Sequence, residues 1–323
     1  MQNILIAILM LVGGFVLLVK GADFFVDGSS SVARRLKVPS LIIGMTIVAM
    51  GTSLPELSVS VVASMNGSNS LAVSNVVGSN LFNLMVVLGA SALLSEIDVS
   101  RDVLKRDYPF SVACTVLLLV LGIAGMRVGH LDGLILLALF VAFLAMMVKA
   151  TIAGNRSNAA ASEEAKAGSE NGNPVLLWLK DIVFIIGGAV AIKFGGDFVV
   201  NGAVTIARGI GVTETLIGLT IVACGTSLPE LVTSLVAAKK KELDMAVGNV
   251  VGSNIFNVLL ILGTASAISP ITFLQENIID IAVLLASSVL TLLFCMTKQK
   301  LTRREGAIML LVYAAYLVYI CVR

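Results

Sequence analysis

Apolar residues run along this chain in long stretches that short polar segments interrupt. A helix needs about 20 apolar residues to span the hydrocarbon of a membrane. Ten stretches of about this length occur, so the pattern predicts an all-α polytopic membrane protein with ten transmembrane helices. The predicted helices cover 3–33, 40–65, 70–94, 107–125, 131–149, 175–207, 213–238, 243–268, 277–296 and 306–322.

The composition agrees with this pattern. Hydrophobic residues make up 58% of the chain and charged residues 13%, and the mean hydropathy is +1.01. These values lie far outside those of soluble domains. The predicted helices also leave too few residues to form a separate soluble domain. We therefore expect the lipid bilayer as the partner of this chain, with no nucleic acid and no obligate protein partner.

An internal repeat divides the chain. Adding 174 to a position in 13–94 gives its counterpart in 187–268, so GMTIVAMGTSLPEL at 44–57 recurs as GLTIVACGTSLPEL at 218–231. Each half holds five predicted helices, and because five is odd, the second half enters the membrane from the opposite side. Secondary transporters use such inverted repeats and bind substrate near the midplane. The predicted organisation is a first five-helix repeat at 1–149 with motifs at 44–83, a cytoplasmic linker at 150–173, and a second repeat at 174–323 with motifs at 218–257.

The distribution of positive charge predicts the orientation. Most of the 22 basic residues fall in the loops that follow odd-numbered predicted helices. Loops rich in Lys and Arg face the cytoplasm. We therefore expect a multi-pass protein of the plasma membrane, the cell inner membrane, with both termini outside the cytoplasm.

One glutamate stands alone in each repeat. Glu56 is the only charged residue in 38–95, and Glu230 is the only one in 215–238. A carboxylate at bilayer depth costs about 2.5–3.5 kcal/mol on insertion scales. Two of them at matching positions indicate a functional site that a cation neutralises.

Each glutamate follows a proline that disturbs its helix. Pro55 and Pro229 lack an N–H and clash with the carbonyl four residues earlier, so the helix is expected to open near Gly51 and Gly225. Freed carbonyls at membrane depth are tolerated only against protein or a polar cavity. Hydroxyl groups share the helix face of each glutamate; they belong to Thr52, Ser53, Thr226 and Ser227.

A second motif adds further oxygen atoms. GSNLFN at 78–83 recurs as GSNIFN at 252–257. In each copy the serine and the last asparagine are four residues apart and share a helix face. The middle asparagine points elsewhere and is expected to bond to neighbouring helices. The residues of the shared face are Ser79, Asn83, Ser253 and Asn257, and the middle asparagines are Asn80 and Asn254.

These groups suit a hard cation. Hydroxyl, carbonyl and carboxylate oxygens are the ligands that Ca²⁺ prefers, whereas soft metals take clustered Cys or His, which the sequence lacks. Two carboxylates supply two negative charges, which match one Ca²⁺ and can be shared by several Na⁺ ions. Competition of two ions for one site is a physical basis for exchange.

Glycines spaced by seven residues mark one face of the first predicted helix of each half. Two readings stay open: close packing of helices, or a smooth surface along which the two helices slide. The glycines are Gly14, Gly21 and Gly28 in the first half and Gly188, Gly195 and Gly202 in the second.

The paired motifs GTSLPE and GSN resemble those of the sodium/calcium exchangers of the cation/calcium antiporter superfamily, prokaryotic type. The resemblance covers nearly the whole membrane part. It implies an ion antiporter that is not an enzyme and has no cofactor, with Ca²⁺ and Na⁺ as transported substrates exchanged by alternating access. The metal ligands that it implies are Glu56, Glu230, Thr52, Ser53, Ser79, Asn83, Thr226, Ser227, Ser253, Asn257 and the backbone carbonyls of Ala49 and Ala223.

Two positions refine what the resemblance implies. Asn257 stands where several members have an aspartate that is associated with K⁺ co-transport, which favours K⁺-independent Ca²⁺ extrusion. Proton-coupled members carry a GNxxE pattern in the first motif, and the hydroxyls of Thr52 and Ser53 replace that asparagine here, which favours Na⁺ over H⁺.

Other functions stay as alternatives. An H⁺/Ca²⁺ antiporter of the same superfamily is the nearest one. An intramembrane hydrolase is disfavoured because a single histidine excludes HExxH and no GxGD motif occurs. A passive channel is disfavoured because two accessible acids would bind Ca²⁺ tightly without supplying an exchange step.

Overall fold

The computed structural model describes residues 2–66, 70–161, 173–212, 221 and 223–322, which are almost entirely helical. The α-helices of these residues are α1 (Gln2–Leu36), α2 (Ser40–Ile43), α3 (Ala49–Thr52), α4 (Leu54–Met65), α5 (Ser70–Phe82), α6 (Leu88–Leu94), α7 (Tyr108–Gly125), α8 (His130–Ala161), α9 (Pro174–Gly209), α10 (Ala223–Gly225), α11 (Leu228–Lys239), α12 (Leu243–Phe256), α13 (Gly263–Ile268), α14 (Gln275–Lys298) and α15 (Arg303–Val322). Wider π-helical turns cover Gly44–Val48, Asn83–Val87, Val103–Asp107 and Asn257–Leu262.

Within the described residues, 8 helices are long and apolar enough to cross a membrane, and the bent segment from Ser40 to Met65 brings the number to 9. The chain is therefore a multi-pass helical membrane protein, as predicted. The seventh predicted helix, 213–238, lies partly outside the described residues, so the predicted count of ten stays a prediction. The other predicted helices agree with observed ones to within a few residues at most of their ends.

Two crossings form the interior of the bundle. The segments Ala72–Leu94 and Leu243–Ile268 are 78% and 94% buried over their most apolar window, whereas Ile4–Leu36 and Val175–Gly209 are only 22% and 17% buried. The interior pair contains the GSN motifs, and the outer pair contains the glycine-spaced helices. The chain thus places the helices of the GSN motifs inside the bundle and leaves much of the surface of α1 and α9 exposed.

The glycine faces of α1 and α9 pack directly against each other. A Cβ on Gly14 would lie 2.8 Å from the carbonyl oxygen of Gly195, and one on Gly188 would lie 2.7 Å from that of Gly21. Only a hydrogen fits at such distances, so the glycines permit backbone contact between the two helices. Close packing is therefore confirmed, and sliding along this face stays a prediction.

Two short antiparallel ribbons connect loops of different parts of the chain. Strand β1 (Ile97–Asp98) pairs with β4 (Lys300–Leu301), and β2 (Arg127–Val128) pairs with β3 (Ile271–Thr272). Adding 174 to the residues of β1 gives those of β3, and adding 173 to those of β2 gives β4, so the two ribbons are equivalent in the repeat. Each ribbon fixes a loop of the first half to a loop of the second.

Helix α8 is longer than predicted. It continues through Ala161, into the segment 150–173 that was expected to be a linker. Adding residues to an existing helix is much easier than starting one, and the last residues of α8 are rich in alanine, the best helix former. The rest of the predicted linker, 162–172, lies outside the described residues.

We predict that Gly188→Ala weakens the contact between α1 and α9. The new methyl group would meet backbone atoms of Gly21 and Phe25 at 2.7 Å, so the helices would have to separate, at about 1–3 kcal/mol. The apparent melting temperature in detergent, followed by size-exclusion chromatography, should fall.

The matched control is Gly187→Ala, because a Cβ there has no atom within 4 Å. We expect this variant to be as stable as the parent or slightly more so, since alanine favours the helix. Equal melting temperatures for both variants would contradict the tight packing.

Candidate cation site

Each glutamate lies in the first turn of a helix that starts after a break. Ser53, with φ −84° and ψ 6°, separates α3 from α4, and the two segments are bent by 48°. Ser227 has nearly the same conformation, φ −94° and ψ 6°, before α11. The prolines at the starts of α4 and α11 account for the break, which lies at Ser53 and Ser227, two residues after the predicted positions Gly51 and Gly225. Both carboxylates therefore lie beside free N–H groups at the positive end of a helix dipole.

The two carboxylates are held by serines of the opposite half. Ser227 Oγ donates to Glu56 Oε1 at 3.3 Å, and Ser53 Oγ donates to Glu230 Oε1 at 3.0 Å. Both glutamates are 0% exposed. Among the described residues, neither carboxylate has a Lys or Arg partner, and the second oxygen of each, Oε2, has no hydrogen-bond partner. The reciprocal serine bonds bring the two motifs together in the centre of the bundle.

The middle asparagines of the GSN motifs form a reciprocal clamp. Asn80 Nδ2 donates to the carbonyl of Asn254 at 3.2 Å, and Asn254 Nδ2 donates to that of Asn80 at 3.3 Å. The expected bonding to neighbouring helices is thus confirmed. A backbone carbonyl can only accept, so these bonds determine which end of each amide is nitrogen.

The clamp orients the two outer asparagines. Asn254 Oδ1 accepts from Asn83 Nδ2 at 3.3 Å, and Asn80 Oδ1 accepts from Asn257 Nδ2 at 2.9 Å. Since the amide nitrogens of Asn83 and Asn257 are turned toward the clamp, their oxygens are turned away from it. Each of these asparagines also starts a π-helical turn, a deviation that is frequent at functional sites.

Among the residues that the structure describes, a set of buried oxygens has no protein partner. Seven belong to residues of the predicted ligand set, and in a native structure such groups are rarely left unpaired. Except for the hydroxyl of Thr226, they occur as matching pairs, one from each half. The seven atoms are Glu56 Oε2, Glu230 Oε2, Ser79 Oγ, Ser253 Oγ, Asn83 Oδ1, Asn257 Oδ1 and Thr226 Oγ1.

Five predicted ligands stand apart from this set. The hydroxyls of Ser53 and Ser227 donate to the glutamates, and the other three are Thr52, Ala49 and Ala223. Thr52 Oγ1 lies 3.2 Å from the carbonyl of Val48 and 3.3 Å from that of Ala49. The Ala49 carbonyl also accepts from Ser53 N at 3.0 Å, so it already has protein partners. Ala223 begins α10. Metal coordination by these five residues, as by the rest of the predicted set, stays a prediction.

Two further asparagines join this network, and the sequence reasoning missed them. Asn249 is fully buried and bonds to Thr52, Ser234 and the backbone of Glu230. Asn75 occupies the equivalent place in the first half. Their signal was present, because both asparagines recur at the offset of 174, immediately before the GSN motifs.

The arrangement provides hard oxygen ligands in a confined place. Two carboxylates contribute negative charge, and neutral hydroxyl and amide oxygens surround them. The described residues include no group of three His, Cys, Asp or Glu side chains that could hold a metal ion. This combination suits a hard cation bound with modest charge, such as Na⁺ or Ca²⁺, rather than a soft metal.

Comparisons with known proteins agree with this chemistry. The sequence profile of the family described as sodium/calcium exchanger protein matches residues 6–149 and 180–322. A protein of Alkalimonas amylolytica named putative antiporter CaxA is 39% identical, over 97% of this chain and 98% of its own length. The sodium/calcium exchanger MaX1 of Methanosarcina acetivorans is 33% identical, over 96% and 97%.

The fold is also similar to a solved structure. The sodium-calcium exchanger NCX_Mj, soaked with zero Na⁺ and Ca²⁺, superimposes with a TM-score of 0.84 and is 32% identical. The match covers 98% of this chain and 99% of that one. The agreement therefore extends over the whole arrangement of helices.

We predict that Asn254→Ala weakens cation binding. Without the Asn254 side chain, the amide nitrogen of Asn83 loses its acceptor, and the amide is free to rotate its oxygen away. Loss of an orienting contact typically costs about 10–100-fold in metal affinity. Titration of the purified protein with ⁴⁵Ca²⁺ measures this change.

A suitable control is Asn277→Ala, which removes another buried amide that bonds to Ser74 and caps α14. It should lower stability without a comparable loss of affinity. If both variants bind Ca²⁺ equally well, the clamp does not orient the ligands.

Proposed function

The chain belongs to the sodium/calcium exchanger protein family, and on that premise we propose that it exchanges Na⁺ for Ca²⁺ across the membrane as a secondary antiporter. The observation that carries the proposal is the set of seven unpartnered buried oxygens contributed by both motifs of each half. Such oxygens are costly unless something binds them. Cations are the species that carboxylate, hydroxyl and amide oxygens accept together.

The charge of the site explains why two ions would compete for it. Glu56 and Glu230 together carry two negative charges when ionised, which one Ca²⁺ neutralises fully. Na⁺ ions use the same kind of ligand and must share the same carboxylates. Since both ions need these oxygens, binding of Na⁺ from one side would favour release of Ca²⁺, and the Na⁺ gradient would drive Ca²⁺ movement.

The glutamates supply the negative charge of the proposed site, and the other residues supply neutral ligands. In this proposal the two glutamates are ligands of both ions, and the remaining ligands are neutral oxygens. Ser53 and Ser227 already donate to the carboxylates and thereby hold them across the interface between the halves. The neutral ligands are Thr52, Thr226, Ser53, Ser227, Ser79, Ser253, Asn83, Asn257 and the carbonyls of Ala49 and Ala223.

The larger organisation follows the repeat. We take 1–149 and 174–323 as two inverted five-helix halves joined by 150–173, and we take alternating exposure of the site as the transport mechanism. The reciprocal contacts at the site support this reading. The positive loops would face the cytoplasm of a cell whose inner membrane holds the protein, with both termini outside. Ca²⁺ would then leave the cell as Na⁺ enters.

K⁺ independence forms part of the proposal because of Asn257. An amide there, matching Asn83, limits the carboxylate charge of the site to Glu56 and Glu230. The amide nitrogen of Asn257 is also engaged by Asn80, which leaves a single neutral oxygen for a cation. A K⁺ ion, bound in addition to Na⁺ or Ca²⁺, would find no additional negative charge at this position.

We predict that Glu56→Gln and Glu230→Gln each abolish exchange, because either change halves the charge of the site while the side chain keeps its shape. Na⁺-driven ⁴⁵Ca²⁺ uptake into proteoliposomes measures the loss. Gradients of Na⁺, H⁺ and K⁺, imposed one at a time on the parent protein, show which ion drives Ca²⁺.

The control for these variants is Glu276→Gln, since Glu276 lies at the exposed start of α14. It should transport like the parent. Near-normal flux in either site variant would refute the assignment of the glutamates. Ca²⁺ uptake driven by a pH gradient without Na⁺ would favour an H⁺/Ca²⁺ antiporter instead.

We further predict that Asn257→Asp changes the cation preference by adding a third carboxylate to the buried site. Exchange should become sensitive to K⁺ or to pH, which flux assays at varied K⁺ and pH would reveal. Asn83→Asp is the matched variant in the other half. An unchanged ion profile in Asn257→Asp would count against a central position of this residue.

A further inference from the structure

An asparagine of the second half connects the two ligand motifs. Asn249 Oδ1 accepts from Thr52 Oγ1 at 3.1 Å, and its Nδ2 donates to Ser234 Oγ at 2.9 Å and to the carbonyl of Glu230 at 3.4 Å. Asn249 is 0% exposed. It therefore ties the threonine of the first motif to the helix that carries the glutamate of the second.

The equivalent connection in the other half is only partly made. Asn75, the counterpart of Asn249, donates to Ser60 Oγ at 3.2 Å, as Asn249 does to Ser234. Thr226, the counterpart of Thr52, has a buried hydroxyl without a hydrogen-bond partner among the described residues. The repeat thus offers two equivalent bonds, one between Asn249 and Thr52 and one between Asn75 and Thr226. In the part of the chain that the structure describes, only the first is present.

The unmade bond lies beside an open cleft. A cleft of about 230 Å³ has Thr226, Pro229, Gly196, Lys193 and Asp197 among its walls. Thr226 as a whole is partly exposed, although its hydroxyl oxygen is buried. By contrast, the threonine that Asn249 holds is completely buried. The bond that is made thus involves a completely buried threonine, and the bond that is not made involves a threonine that lines the cleft.

We propose that Asn75 and Asn249 are positioning residues that hold the threonine of the opposite half in alternation. While the cleft beside Thr226 is open, Asn249 holds Thr52. When the cleft closes, Thr226 bonds to Asn75 and the bond between Asn249 and Thr52 breaks. Asn249 thus stabilises the state in which the Thr52 side of the site is closed, and Asn75 stabilises the state in which the Thr226 side is closed. This proposal rests on the proposed exchange function, because it concerns the two states of that cycle.

The cleft can be monitored with a single reporter. A Cβ at Gly196 would lie 3.8 Å from Pro229, an ordinary contact, so Gly196→Cys should be tolerated. The rate at which a small cationic methanethiosulfonate modifies this position measures how often the cleft is open. The reporter requires replacement of the native cysteines, Cys114, Cys224, Cys295 and Cys321.

The two asparagine variants should act in opposite directions. Asn249→Ala removes a bond that is made only in the open-cleft state, so the modification rate should fall by about fivefold, the usual effect of one hydrogen bond. Asn75→Ala removes a bond of the closed-cleft state, so the rate should stay equal or rise. The milder variants Ser234→Ala and Ser60→Ala should shift the rate in the same two directions, with smaller amplitude.

The controls separate this proposal from the function on which it rests. Na⁺-driven ⁴⁵Ca²⁺ exchange by the parent protein is measured first, and its absence would overturn the proposed function. The labelling of the reporter is read without transport. Equal shifts for both asparagine variants, or no shift in either pair of variants, would overturn alternation and leave the asparagines a purely structural role.

Discussion

Glu56 and Glu230 are fully buried in the middle of a membrane protein, and among the described residues no basic side chain meets them. Hydrocarbon cannot solvate such groups, so the surrounding chain must supply both donors and a place for a counter-ion. The broken helices supply N–H groups at the starts of α4 and α11, and the serines of the opposite half supply hydroxyl donors. The fold can therefore be understood as the framework that two buried negative charges require.

Pairing across the halves makes the site a property of the whole bundle. Neither half contains a complete set of contacts, because the serine that holds each carboxylate belongs to the other half. The asparagine clamp between Asn80 and Asn254 repeats this dependence. Small residues inside the interior crossings make such close contact between the halves feasible.

Much of this could be read from the sequence, and the reasons are specific. Apolar length predicted the crossings, Pro55 and Pro229 predicted breaks, and the spacing of the GSN motifs predicted that the middle asparagines bond to neighbouring helices. Recurrence at the offset of 174 marks Asn249 in the sequence, but its bonding partners were not predictable, because hydrogen bonding between helices depends on how they pack. The end of α8 was also missed, since a polar, alanine-rich segment is compatible with either a linker or a continued helix.

Because each carboxylate bonds to a serine of the other half, the order of synthesis determines when these contacts can form. Ser227 follows Glu56 by 171 residues, and at about 5–20 residues per second a ribosome needs roughly 9–34 s to make that length. The ribbon between β1 and β4 forms even later, because β4 follows α14 in the chain and is synthesised after it. During this interval the first carboxylate lacks the hydroxyl that will hold it. The nascent first half must therefore keep Glu56 near water, the translocon or another temporary partner until the second half arrives.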